Sequence, residues 1–141
     1  MAATQTLPSP APNVPFAHRT LTGALASGVA TANGTTISEV LPCAFTRYIT
    51  VRVKTATNGG TINLDFVRPT ATDPAFNAAG LLLPAQCTKY VSPASPTAVT
   101  VTAGTETSIG PVTCNGESFC MISFTGSVGA GTITYVDVCG L

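Results

Sequence analysis

Charged side chains are scarce in this sequence, and the few that it has cancel. Asp, Glu, Lys and Arg make up 9% of the 141 residues, against about 25% in an average soluble protein. Six basic residues balance six acidic ones. Nucleic-acid binding needs clustered Lys and Arg to neutralise phosphates, so we expect no nucleic-acid partner. A surface with so little charge is poorly protected against association, which favours a subunit that neighbours cover.

Sequence motifs for catalysis and for cofactor binding are missing as well. The single histidine, His18, lies in a proline-rich stretch, "GESFC" lacks the G-x-S-x-G elbow, and no C-x-x-C pair occurs. A catalytic nucleophile needs a base beside it, and a zinc finger needs paired cysteines or histidines. We therefore expect a protein that is not an enzyme and holds no metal or other cofactor. A small hydrolase with an unrecognised site is the enzymatic alternative.

Long hydrophobic runs are missing too. The weakly polar run "LTGALASGVATANG" is broken by Gly, Ser, Thr and Asn, well short of the roughly 18 apolar residues that a membrane span needs. The residues before it, "MAATQTLPSPAPNVPF", have no positively charged region and are rich in proline, unlike a signal peptide. We expect no membrane association, and synthesis in a cytoplasm.

The sequence has an odd number of cysteines, five, and a cytoplasm is a reducing compartment in which disulfides are rare. We expect mostly buried free thiols, because an unpaired cysteine behaves as a small hydrophobe. A disulfide between Cys114 and Cys120 is the alternative, since "CNGESFC" puts turn residues between them. The full set is Cys43, Cys87, Cys114, Cys120 and Cys139.

Threonine takes the place of charge, with 24 residues in the chain. Its β-branched side chain suits a pleated, half-exposed surface. Short alternating segments separated by glycine-rich turns predict an all-β fold, a single β-sandwich or jelly-roll-like barrel. We place this β-domain at residues 36–141, after an irregular connector at residues 21–35.

The clearest pattern in the domain is "VRVKTATNGGTINLDF", residues 51–66. Alternation on both sides of the Asn-Gly-Gly predicts a β-hairpin. A turn at Asn58-Gly59 places Arg52 opposite Asp65, whereas a turn at Gly59-Gly60 places Lys54 opposite Asp65.

The N-terminal segment, residues 1–20, does not alternate, and we expect it to bind a partner. Four prolines within eight positions predict an extended arm rather than a helix. We expect its apolar side chains, Leu7, Val14 and Phe16, to anchor it on a neighbouring subunit. A disordered tail is the alternative.

A second segment without alternation is the long loop at residues 70–95. Loops of this length are often functional. Its apolar stretch "GLLLP" contains Leu81, Leu82 and Leu83. These leucines either cross over the core and become buried internally, or form a contact surface for a partner.

The order of segments resembles a known class of proteins. An Ala/Pro-rich arm precedes "RYITVRVKTATNGGTINLDFVRP", "PTAVTVTAGTETSI", "GESFCMISFTG" and "GTITYVDV". Over roughly residues 36–139 this resembles small virion structural proteins of tailed bacteriophages, in particular capsid decoration (cement) proteins. The resemblance implies a compact β domain, often a homotrimer, made in the host cytoplasm. It would bind the major capsid protein on the outer capsid surface and reinforce contacts between coat subunits.

Two further classes of function remain open at the level of sequence. The chain could be a tail or head-tail component of the virion. It could also be a secreted adhesion or carbohydrate-binding module that contains disulfides.

Overall fold

The protein folds into two packed antiparallel β-sheets, so the prediction of an all-β sandwich is confirmed. The structure is a computed structural model, and it describes residues 19–21, 24–44, 46–70, 72, 74–76, 80–90, 98–127 and 131–140. The elements in chain order are β1 (Arg19–Thr20), β2 (Ala30–Thr31), β3 (Thr36–Pro42), β4 (Tyr48–Thr55), β5 (Gly60–Pro69), a 3₁₀ helix (Pro84–Gln86), β6 (Cys87–Lys89), β7 (Val99–Val101), β8 (Thr107–Thr113), β9 (Phe119–Gly126) and β10 (Gly131–Gly140).

Each sheet contains five of these strands. Sheet 1 has the order β1-β10-β4-β8, and β2 also pairs with β10. Sheet 2 has the order β3-β9-β5-β6, and β7 also pairs with β5. The long strands alternate between the sheets along the chain, with β3, β5 and β9 in sheet 2 and β4, β8 and β10 in sheet 1. Within the sheets, the orders β2-β10-β4-β8 and β3-β9-β5-β7 give the eight strands of a double-sheet jelly roll.

The hairpin prediction for residues 51–66 is wrong. Strand β4 pairs with β10 and β8, whereas β5 pairs with β9, β6 and β7, so the two strands lie in opposite sheets. Alternation specifies which side of a strand is buried but not which strand lies beside it. The apolar sides of β4 and β5 meet across the sandwich instead, in one buried cluster.

The ion pairs that the hairpin implied are also wrong, because Arg52 and Asp65 now belong to different sheets. Arg52 lies 3.8 Å from Glu106, measured from Nε to Oε1. Asp65 instead pairs with Lys89, at 3.0 Å from Oδ2 to Nζ.

The Asn-Gly-Gly sequence turns the chain from one sheet to the other. Asn58 has a φ of 52°, in the left-handed region that asparagine tolerates better than most residues. A Cβ atom at Gly60 would lie 2.2 Å from the carbonyl oxygen of Thr125 and 2.6 Å from the ring of Phe124. Glycine is required here for close packing of the crossing chain against β9.

The core lies between the two sheets and is built from the predicted alternating positions. Cys120, Ile122 and Phe124 share the inner side of β9 and are fully buried, as the alternation of "SFCMISF" predicts. The connector contributes as well, because Leu21 and Leu25 are buried in the same cluster. The N–H of Leu25 donates to Oε2 of the buried Glu39 at 3.4 Å, which ties the connector to β3.

Candidate interaction surfaces

The outer face of sheet 2 is divided into a polar half and an apolar half. In the polar half, hydroxyl pairs cross from β3 to β9: Thr36 to Thr125, and Ser38 to Ser123, each at 2.8 Å between oxygens. In the apolar half, a second buried cluster packs outside the main core. Its members are Val40, Val67, Leu82 and Met121, with Cys87 and Phe119 partly buried against them.

The loop after β5 covers this apolar half. Leu82 is 3% exposed and belongs to the second cluster, while Leu81 is 9% exposed and belongs to the main core. Leu83 is half-buried. Leu81 and Leu82 thus follow the first alternative, burial inside their own domain, so the exposed Phe76 is a better candidate for a contact from this loop.

A partly buried ion pair fixes the covering loop to the sheet. The Asp65 side chain is 12% exposed and accepts a hydrogen bond from Asn63 Nδ2 at 2.9 Å. Lys89 on β6 lies 3.0 Å from the same carboxylate oxygen. Because Lys89 follows the loop directly, this pair holds the end of the loop on β5.

Nothing in the described part of the chain covers the outer face of sheet 1 in the same way. A mainly apolar cavity of about 170 Å³ opens there, lined by Tyr48, Thr50, Pro111 and Cys139. Tyr48 is 41% exposed and is one of three exposed large hydrophobic side chains among the described residues. The cavity spans three strands, because Thr50 on β4 and Cys139 on β10 are register partners and Pro111 belongs to β8.

Polar and charged side chains lie farther along the same face. Arg52 and Glu106 form a loose ion pair, with both side chains about half exposed. The Tyr135 hydroxyl donates a hydrogen bond to Glu106 Oε2. That hydrogen bond is the main cause, and burial a smaller one, of the raised pKa of Tyr135, which is about 12.

The predicted arm anchors Leu7, Val14 and Phe16 lie outside the described residues. The chain is first described at β1, where Arg19 pairs with Val138 of β10. The next residue of β10 is Cys139, which lines the cavity beside Tyr48. The chain before Arg19 therefore joins the domain next to this cavity.

None of the five cysteines forms a disulfide bond in this structure. Cys43, Cys114 and Cys120 are buried in the main core, and the Cys43 thiol donates to the carbonyl oxygen of Glu117 at 3.4 Å. Among the described residues, no group of three or more His, Cys, Asp and Glu side chains has an arrangement that could hold a metal ion.

Sequence reasoning missed both Tyr48 and Phe76. Tyr48 begins a strand whose alternation marks it as outward-facing, but its exposure and the cavity beside it depend on β8 and β10, which are remote in sequence. Phe76 is the only aromatic residue between Phe66 and Tyr90 in the sequence, and that isolation is the signal that could have identified it.

Comparisons with known proteins gave no match. No protein-family model matches it, and no curated protein matches it significantly. Of the helices within the described ranges, none is both long and apolar enough to cross a bilayer.

Proposed function

We propose that this protein is a non-enzymatic capsid decoration protein of a tailed bacteriophage. It binds the major capsid protein on the outer surface of the virion and reinforces contacts between coat subunits. The jelly roll supports this proposal, since viral capsid proteins use the same architecture. The low surface charge supports it too, because such a surface is suited to being covered by neighbours.

The observation that carries the proposal is the uncovered face of sheet 1. An exposed tyrosine and an apolar cavity lie there, beside the point where the N-terminal arm joins the domain. Exposed aromatic residues next to apolar pockets are typical anchors of protein interfaces.

The arm supplies the complementary apolar groups. In this proposal Leu7, Val14 and Phe16 of one subunit cross to the sheet 1 cavity of the next, and three subunits close into a trimer. Exchange around a threefold axis satisfies every arm and every cavity at once. Phe76, 56% exposed on the opposite side of the sandwich, is available to the coat protein.

Deletion of residues 1–17 tests the arm. The full chain should sediment at three times its 14.2 kDa mass and bind capsids, and the shortened chain should lose one or both properties. If trimers and capsid binding both survive the deletion, the arm has no role.

A matched set of substitutions distinguishes the effect of losing the apolar anchors from the effect of shortening the arm. Changing Leu7, Val14 and Phe16 to serine should reproduce the deletion. Changing Gln5, Ser9 and Asn13 to alanine leaves the arm equally long and should have little effect.

A carbohydrate-binding module is the second candidate, because jelly rolls also form lectins and an exposed Tyr48 could stack on a sugar ring. A glycan array distinguishes the two. Binding to a defined glycan that Tyr48→Ala abolishes would favour the lectin, whereas an empty array with intact capsid binding favours decoration.

A further inference from the structure

Two of the buried thiols come from opposite sheets and meet at one end of the sandwich. Cys43 directly follows β3 of sheet 2, and its N–H donates to the carbonyl oxygen of Ser118 at 2.8 Å. Cys114 directly follows β8 of sheet 1, and its N–H donates to the carbonyl oxygen of Arg47 at 2.7 Å. Both positions are fixed by backbone hydrogen bonds, and both side chains belong to one buried cluster. The Cys43 thiol donates to the carbonyl oxygen of Glu117 at 3.4 Å, so it lies against the turn that follows Cys114.

We propose that Cys43 and Cys114 are a disulfide site, which a low-molecular-weight disulfide such as oxidised glutathione converts into a covalent bridge between the two sheets. The structure shows the reduced form. The bridge would join the end of β3 to the end of β8, at the end of the sandwich where both strands finish.

Access to solvent distinguishes Cys114 from the third thiol of the cluster. A surface cavity of about 410 Å³ is lined by Ala44, Thr46, Arg47, Cys114, Gly116 and Ser118. Cys120 does not line it and is fully buried on the inner side of β9. An oxidant in the cavity therefore meets Cys114. Arg47 on the cavity wall attracts an anionic oxidant such as oxidised glutathione, whereas the nearby carboxylate of Glu117 opposes this attraction.

The reaction is two successive thiol–disulfide exchanges. The Cys114 thiolate attacks one sulfur of oxidised glutathione, the S–S bond of the oxidant breaks, and one glutathione leaves. The Cys43 thiolate then attacks Sγ of Cys114, and the second glutathione leaves. The two cysteines lose two electrons and two protons, and one oxidised glutathione becomes two reduced molecules.

The surroundings of the thiols make this reaction slow near neutral pH. The thiol of Cys114 donates to Cys43, and this hydrogen bond, burial and the nearby negative charge of Glu117 all raise the pKa of Cys114. For Cys43 the hydrogen bond with Cys114 lowers the pKa, but the hydrogen bond with Cys120 and burial outweigh it, so the net shift is upward. Because the thiolate is the attacking species, the rate should rise with pH.

Peptide mapping of the wild-type chain tests the proposal without any substitution. The protein is incubated with oxidised glutathione, alkylated, and cleaved after Lys and Arg and after Glu. Cleavage after Glu39, Arg47, Glu106 and Glu117 puts Cys43 in residues 40–47 and Cys114 in residues 107–117, while Cys120 and Cys139 share residues 118–141.

The expected product is a crosslink between peptides 40–47 and 107–117, lighter than their sum by two hydrogen atoms. The crosslink should raise the midpoint of thermal unfolding by about 5–15 °C, because it closes a long segment of chain. A crosslink from 40–47 to 118–141 would assign the bridge to another pair and overturn the proposal. Complete alkylation of both cysteines after prolonged oxidation would overturn it as well.

Serine variants provide the controls. Cys114→Ser should abolish the crosslink to residues 40–47, whereas Cys87→Ser, at a half-buried position outside the cluster, should leave it unchanged. If oxidised Cys114→Ser still links Cys43 to residues 118–141 as efficiently as the wild type links it to 107–117, Cys114 is not the preferred partner.

Discussion

The two outer faces of the sandwich differ in what covers them. On sheet 2, the loop after β5 places Leu82 over Val40, Val67 and Met121, so the chain buries this apolar surface itself. On sheet 1, Tyr48 and the cavity beside Cys139 have no such cover within the described residues. The first apolar surface therefore stabilises the fold, and the second is the one we propose as a binding surface.

The two ion pairs of these faces differ in the same way. Asp65 is nearly buried, accepts a hydrogen bond from Asn63, and contacts Lys89 at 3.0 Å. Glu106 is about half exposed and lies 3.8 Å from Arg52. Lys89 itself is 59% exposed, so the difference lies in the nearly buried Asp65 carboxylate and the shorter distance, which leave the first pair less screened by solvent than the second.

The largest predicted effect comes from removing the cover of sheet 2. Leu82→Ala should lower the free energy of unfolding by about 2–4 kcal/mol, because it empties the centre of a buried cluster. Urea unfolding measures the change, and Leu83→Ala, at the neighbouring half-buried position, should cost clearly less. Equal losses for the two variants would mean that the loop does not cover the sheet as described.

The second largest predicted effect is a difference in unfolding free energy between variants of the two ion pairs. Asp65→Asn should cost about 1–2 kcal/mol of unfolding free energy, because the charge-assisted contact with Lys89 is lost at a nearly buried position. Glu106→Gln, the matched change on sheet 1, should cost less than about 0.5 kcal/mol. A larger loss from Glu106→Gln would contradict the distinction between the faces.

A substitution at Tyr48 should change binding and leave folding alone. Tyr48→Ser should keep urea stability within about 1 kcal/mol of the wild type, because an exposed strand residue contributes little packing. It should weaken trimer formation measured by sedimentation. Tyr90→Ser, at the similarly exposed tyrosine after β6, is the control and should leave the native mass unchanged.

The smallest predicted effect is the titration of Tyr135 on the outer face of sheet 1. The hydrogen bond with Glu106 raises the pKa of Tyr135 to about 12, above the ordinary tyrosine value near 10. Its contribution to stability is therefore complete below about pH 10 and is lost as the pH rises through about 12. Tyrosinate absorbance should show this late step, and Tyr135→Phe should remove it. In Glu106→Gln the step should move to lower pH, and an unchanged step there would exclude Glu106 as the cause.

Sequence patterns predicted the class of the fold and most of its core. Inner positions such as Ile122 and Phe124 follow from alternation alone, because the side-chain period of a strand is two. The pairing of β4 with β10 was beyond such reasoning. Those strands are about eighty residues apart in the chain, whereas β3 and β5, the long strands before and after β4, both lie in the other sheet.

The candidate surfaces were harder to predict than the core. Leu82 could be recognised as apolar, but its burial depends on Val40 and Met121 from two other segments. The cavity at Tyr48 likewise joins residues from separate strands. The sequence offered a Cys114–Cys120 disulfide as the alternative to free thiols because these two are close in the chain, whereas the fold places the remote Cys43 thiol against the turn after Cys114.

Binding to capsids tests the central claim most directly. Capsids assembled from the coat protein of the same phage, and lacking this protein, are mixed with increasing amounts of the full chain and sedimented. We predict saturable binding in multiples of three copies, and capsids that withstand a higher temperature once decorated. Absence of binding, or binding that never saturates and leaves capsid stability unchanged, would contradict a role in decoration.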